Sequence, residues 1–144
     1  MKNEFYIHFE NGMPKGSAQQ KGETVKYKRV GNRILPYIEH YRTPKVQTMR
    51  NLFILKLKRY RPEQPYEKPI RLKVVMYFDV KNKKLWGTYK DTKVDIDNYY
   101  KELADVMTVL KFWKDDSQVV DLRLIKYYSE KASIHISLEE IEDG

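Results

Sequence analysis

Cysteine is absent from the 144-residue chain, which excludes disulfides, thiolate metal sites and thiol nucleophiles. Long apolar runs are missing too. The longest stretches, such as Leu52-Phe53-Ile54-Leu55, fall far short of the roughly 20 residues that span a bilayer, and no apolar signal core stands at the N-terminus. A soluble cytoplasmic protein with no membrane contact is therefore expected. Histidine is scarce: His8, His40 and His135 are scattered, with no pair at ligand spacing, which leaves little basis for a histidine metal site. Repeats and low-complexity linkers are also lacking, so residues 1–144 are expected to form one domain, with the acidic residues 139–144 a frayed tail. A chain of this size buries roughly 68–70% of its unfolded surface, enough for a core without covalent or metal support.

What the sequence has in plenty is charge, and it is unevenly placed. The formal net charge is +8. Residues 1–93 hold 22 Lys and Arg against 8 Asp and Glu, net +14, whereas residues 94–144 hold 6 against 12, net −6. A basic stretch beside an acidic one points to a polyanion-binding surface next to an acidic centre, although a basic solvated face without a ligand has the same composition.

Periodicity supplies the coarse order of elements. Phe5, Ile7 and Phe9 alternate with Tyr6 and His8, predicting a strand over 4–10. Asn11-Gly12 marks a turn, residues 13–22 read as a loop, and residues 24–30 as a second strand. Thr43-Pro44 predicts a helix start, since Thr caps free N–H groups and Pro suits the first helical position. Val46, Met49, Phe53, Leu57 and Tyr60 then follow at helical spacing. Ile70 to Val80 alternates as a strand, residues 81–93 form a basic loop carrying Trp86 and Tyr89, and a second helix is expected from about Asn98 to Lys111. Strands around Val120, Leu122 and Leu124 and around Ala132, Ile134, Ile136 and Leu138 close the chain. The fold class expected is α+β, a mixed β-sheet with two main helices.

Reactive residues crowd where the charge changes sign: Asp95-Ile96-Asp97-Asn98, then Lys101, Asp105 and Asp115-Asp116. In an extended segment Asp95 and Asp97 share a face, and two convergent carboxylates repel unless a hard cation or a proton relieves them. Asp97 or Asn98 taken alone reads first as a helix cap, and Asp97, Lys101 and Asp105 at four-residue spacing as a surface ion-pair ladder. With Asp115-Asp116 added, three or four carboxylates make an oxygen-rich set suited to Mg²⁺ in phosphodiester cleavage. Lys15, Lys21, Lys81, Lys83, Lys84, Lys90 and Lys93 are candidates for backbone phosphates. Trp86 is a candidate either to stack on an unpaired base or to pack as a lid.

These residues resemble the RusA family of Holliday junction resolvases, many of them carried by phages or prophages. The likeness rests on Val94-Asp95-Ile96-Asp97-Asn98-Tyr99-Tyr100-Lys101, on Asp105, on the run Phe112-Trp113-Lys114-Asp115-Asp116-Ser117-Gln118-Val119-Val120-Asp121, and on Lys126. It is close over residues 93–127 and looser upstream. At the N-terminus the family's Pro-Pro-Ser-x-Asn segment is replaced by residues 13–21, MPKGSAQQK. The resemblance implies Asp95, Asp97 and Asp116 as metal-binding catalytic carboxylates and Lys101 as the catalytic lysine, with Asn98 and Asp115 as additional members of the motif. It further implies Mg²⁺ or Mn²⁺, a homodimer, and paired nicks across a four-way DNA junction in recombination and repair. Two other functions share much of this pattern: a basic DNA-binding protein without catalysis, and a nuclease of flaps or branched DNA without strict four-way selectivity.

The return of Asp116 to Asp97 looks tight. A helix over 98–111 advances roughly 21 Å, and the few residues after it span about 18 Å at most. An early helix end, a bend, or action of Asp116 in the other subunit would resolve this.

Overall fold

The structure, a computed structural model, describes residues 2–15 and 21–142. The elements run β1 (Lys2–Phe9), β2 (Lys21–Val30), β3 (Arg33–Arg42), α1 (Pro44–Leu57), β4 (Ile70–Asp79), α2 (Ile96–Val109), β5 (Val119–Ser129) and β6 (Ala132–Glu140). Four strands make one mixed sheet in the order β1-β6-β4-β5, with β4 and β5 parallel and the other neighbours antiparallel. Strands β2 and β3 form a separate antiparallel ribbon. The architecture is α+β, as the sequence predicts.

Helix α1 starts where Thr43-Pro44 places it, the Thr43 hydroxyl accepting a 3.4 Å hydrogen bond from the Val46 N–H. Its apolar stripe Val46, Met49, Phe53 and Leu57 is fully buried. Helix α2 buries Tyr99, Leu103, Val106 and Met107. Both stripes pack on one face of the sheet, against Phe5, Ile7 and Phe9 of β1, Leu72, Val74 and Met76 of β4 and Ile134, Ile136 and Leu138 of β6. Arg50 of α1 joins the helices through a 3.1 Å ion pair to the buried carboxylate of Glu102 on α2.

Three parts differ from the sequence expectation. The strand β3 is absent from it, because Pro36 interrupts the apolar run and a proline demotes a strand reading; in the ribbon Pro36 stands opposite Tyr27, with no third strand beyond it among the described residues. Second, Val120 and Leu122 alternate as expected but remain exposed, because β5 is the edge of the sheet. Third, the acidic end is not a frayed tail over its described length. Glu139 and Glu140 lie in β6 opposite Arg71 and Ile70, and the Ile141 N–H donates to the Pro69 carbonyl at 2.8 Å. Of the loop expected over 13–22, residues 16–20 lie outside the described residues. No helix among those described is long and apolar enough to cross a membrane.

Candidate active site

The β4–α2–β5 unit joins two parallel strands, so the C-terminal end of β4 and the N-terminal end of α2 open on the same side, where α/β units commonly bind ligands. A cleft of about 640 Å³ lies there. Its lining combines the carboxylates of Asp79 and Asp95 and the amide of Asn98 with four lysines, Lys15, Lys45, Lys90 and Lys93. Asp79 ends β4. Its Oδ1 accepts the Met13 N–H at 3.0 Å, and a Cβ at Gly12 (φ +89°) would stand 3.0 Å from Oδ2, so the chain passes this carboxylate closely only because residue 12 is glycine. The Tyr99 hydroxyl donates to the Pro14 carbonyl at 2.8 Å. These two hydrogen bonds hold the segment leading to Lys15 against the cleft.

Asp95 sits at the N-cap of α2, yet its side chain makes no capping bond. Its carboxylate accepts instead from Asn98 Nδ2 at 3.4 Å and stays exposed. The loop before it is fixed from the sheet: Lys126 Nζ donates to the Thr92 and Val94 carbonyls, each at 2.7 Å. Burial, and then the neighbouring Lys90, lowers the Lys126 pKa, while Asp95 and Asp91 pull it the other way.

The helix begins at Ile96 rather than near Asn98, so Asp97 already lies in the first turn and strand alternation no longer aligns it with Asp95. Asp97 and Lys101 are exposed, and among the described residues neither side chain has an ion-pair or hydrogen-bond partner. The expected ladder through Lys101 is therefore not formed; Asp105 pairs with Arg50 at 3.5 Å instead.

Asp116 returns along α2 because the helix ends sharply. Lys111 adopts φ 66°, the Phe112 N–H bonds back to the Met107 carbonyl at 3.0 Å, and the Lys111 N–H to that of Thr108 at 3.1 Å. This is a Schellman stop, here built on a lysine where glycine is usual. Phe112 and Trp113 are then buried as anchors. Asp115 caps the following 3-10 turn (Asp116–Gln118), accepting from the Ser117 N–H at 3.2 Å, with Gln118 completing a capping box. The Asp116 pKa is raised by Asp115 first, then by burial and Asp105; the Ser117 N–H, with Asp116, lowers that of Asp115. Burial and the Asp116 charge push Tyr100 up to about 12. Asp116 thus lies within electrostatic reach of Tyr100 and Asp105 on the flank of α2, and its charge neighbours are Asp115 and Asp105 rather than Asp95 or Asp97.

Among the described residues no three Asp, Glu or His side chains gather to hold a metal. The donor chemistry nevertheless fits Mg²⁺, which commonly takes one or two carboxylates together with waters and substrate phosphates. Of the expected phosphate contacts, Lys15, Lys90 and Lys93 reach the cleft, whereas Lys81, Lys83 and Lys84 lie on the loop beyond it. The side chain of Lys21 is outside the described residues. Trp86 is partly buried, its indole N–H donating to the Val80 carbonyl at 2.9 Å. Sequence reading missed Asp79 and Lys45 as cleft residues. Asp79 closes the clearest strand, a usable signal, but nothing local to Lys45 tells that the start of α1 faces α2.

The fold and the cleft define a small α+β protein in which four lysines and two carboxylates line one cleft. Comparison with known proteins narrows this class. The family described as endodeoxyribonuclease RusA matches residues 11–139. The chain is 34% identical over 148 aligned residues to the crossover junction endodeoxyribonuclease RusA of Lactococcus phage r1t, covering 98% of this chain and 100% of that one. It is also 32% identical over 132 residues to the uncharacterized protein YqaN of Bacillus subtilis strain 168, covering 83% and 92%. The chain belongs to the RusA family of endodeoxyribonucleases.

Proposed function

We propose that this endonuclease resolves four-way DNA junctions by paired nicks, with residues 1–144 acting as one catalytic domain in the cytoplasm and two copies serving the two-fold substrate. The observation that carries the reading is the cleft, where four lysines surround Asp79, Asp95 and Asn98. Lysines hold backbone phosphates without reading sequence, and Lys15, Lys45, Lys90 and Lys93 stand ready to seat a phosphate beside Asp95.

Asp95, Asp97 and Asp116 are the proposed carboxylates for Mg²⁺, or for Mn²⁺ in its place, one or two of them holding the ion together with waters and the substrate phosphate. When bound, the ion supplies a Lewis acid that activates water and polarises the phosphoryl oxygen. Lys101, one turn beyond Asp97 and free of a partner among the described residues, stabilises negative charge developing on the phosphate. The N-terminus of α2 adds a partial positive charge at the same place. Asn98 holds the Asp95 carboxylate, and Asp115 sets the backbone of the turn that carries Asp116.

The test is cleavage of a synthetic four-way junction and a matching linear duplex, each with and without Mg²⁺. Symmetrical nicks confined to the junction and dependent on Mg²⁺ are expected. Binding without cleavage would point to a DNA-binding protein alone, and equal cutting of both substrates to a less selective nuclease. Asp97→Asn should abolish cleavage with junction binding kept or strengthened, because a negative charge near phosphates is removed. Lys101→Ala should lose cleavage with little change in affinity, since other cations hold the backbone.

A further inference from the structure

Loop residues 87–90 lie along the free edge of β5 and extend the sheet by one short row. The Gly87 N–H donates to the Tyr128 carbonyl at 2.9 Å, the Tyr128 N–H to Thr88 at 2.9 Å, and the Lys90 N–H to Lys126 at 3.0 Å. Tyr89 is thereby fixed opposite Tyr127. Its ring stacks on that of Tyr127, centroids 5.0 Å apart and planes 17° apart, and Tyr127 stacks in turn on Tyr77 at 5.8 Å and 17°. These spacings belong to offset stacking.

Three near-parallel rings thus run outward across the open face of the sheet, away from the helices. Tyr77 is the inner layer, on the central strand β4, and Tyr89 the outer one, beyond the edge strand. Tyr89 remains 70% exposed, so the stack ends on an aromatic face turned to solvent. A rigid backbone holding a large exposed ring contributes little burial to the fold. What it offers is a preorganised π-surface on which a further ring can be added at small entropic cost.

The other aromatic residues of this region are engaged. Trp86 is tied to Val80 through its indole N–H, and Lys90 lies 4.9 Å over the Tyr128 ring. Tyr89 stands at the same sheet edge as the active site: the next residue, Lys90, turns to the helix-covered face, over Phe78, and lines the cleft that holds Asp95, while the Tyr89 ring lies on the open face. We infer that Tyr89 is a stacking site for an unpaired base of the DNA substrate, the base forming the fourth layer of the Tyr77–Tyr127–Tyr89 stack while the backbone is held by the cleft lysines. A base inside a duplex is stacked on both sides and has no face to give. A base opened at a branch point does.

This inference rests on the junction-resolving function proposed above and adds a residue that function does not require. The test uses four-way junctions carrying 2-aminopurine at successive positions around the branch point, titrated in EDTA so that DNA is bound but not cut. The proteins are the full chain and its Tyr89→Phe, Tyr89→Ala and Tyr89→Leu variants, the leucine keeping apolar contact with Tyr127 without a π-face. Wild type and Tyr89→Phe should quench the probe at one or more positions. Tyr89→Ala and Tyr89→Leu should lose that quenching and bind the junction about tenfold more weakly, with affinity for linear duplex unchanged.

Equal quenching by the leucine or alanine variant would overturn the inference. So would sedimentation showing that either variant is a monomer where the wild type is a dimer, because the ring would then be covered by a second copy. Junctions cut by the wild type but with no probe quenched at any position would overturn the stacking site and leave the resolvase function standing. Failure of the wild type to bind junctions at all would overturn both.

Discussion

The Lys126 ammonium lies 2.7 Å from the carbonyl of Val94, the residue before Asp95. A side chain of the edge strand thereby fixes the backbone that presents the carboxylate, aided by an equal bond to Thr92. Lys126→Met keeps the aliphatic stem and removes both donors. The cleavage rate should fall about 10- to 100-fold while junction affinity changes little. Single-turnover rates alongside binding isotherms check this, and a loss confined to affinity would show that Lys126 acts only as a phosphate contact.

Asp116 carries a stability cost with a definite pH signature. Its pKa in the folded state is raised above the ordinary carboxylate value by Asp115, burial and Asp105. The folded state therefore binds more protons than the unfolded chain just above the ordinary Asp value, and stability falls as pH rises through that window. At neutral pH the penalty is fully present. Asp116→Asn should raise the melting temperature slightly at pH 7 and abolish cleavage, and the gain should vanish once pH falls below the unfolded Asp pKa. Melting curves from pH 3 to 7 would show it.

Lys111 holds a positive φ of 66° at the stop of α2. The left-handed conformation costs a non-glycine residue about 1–2 kcal/mol. Lys111→Gly should recover about 0.5–1 kcal/mol after the greater unfolded-state entropy of glycine is counted, a rise of about 2–4 °C in melting temperature. Urea denaturation at unchanged m-value is the measurement. No gain would mean that the lysine side chain contributes something the turn geometry does not reveal.

The Arg50–Glu102 pair is the polar joint between the two helices. Glu102 is 2% exposed, so Glu102→Ala removes the buried partner of Arg50, itself 14% exposed, and leaves it the exposed Asp105 at 3.5 Å. A cost of about 3 kcal/mol follows, or about 10 °C in melting temperature. Replacing both residues together, Arg50→Met with Glu102→Leu, should restore most of the loss, because the desolvation of both charges is removed with their attraction. Thermal melts of the single and double variants decide it.

Local chemistry determined a good part of this protein. Alternation along β1 and β4, the Thr43-Pro44 start of α1 and the apolar stripes of both helices were legible because strand and helix periods are set by neighbouring residues alone. So was the grouping of Asp95, Asp97, Asn98 and Lys101 on fewer than two turns of chain. The ribbon strand β3 was not, since Pro36 argues against a strand until its pairing partner is known.

Tertiary structure decided which residues meet. Asp79 and Lys45 enter the cleft only because the end of β4 and the start of α1 converge on α2. Asp116 reaches the flank of α2 only because Lys111 reverses the chain. Tyr89, Tyr127 and Tyr77 lie far apart in sequence and become one stack only through the parallel pairing of β4 with β5 and the loop bound to its edge. Side-chain periodicity is a property of a few consecutive residues, whereas a cleft or a ring stack depends on contacts between distant segments, and those are settled by how the apolar faces pack.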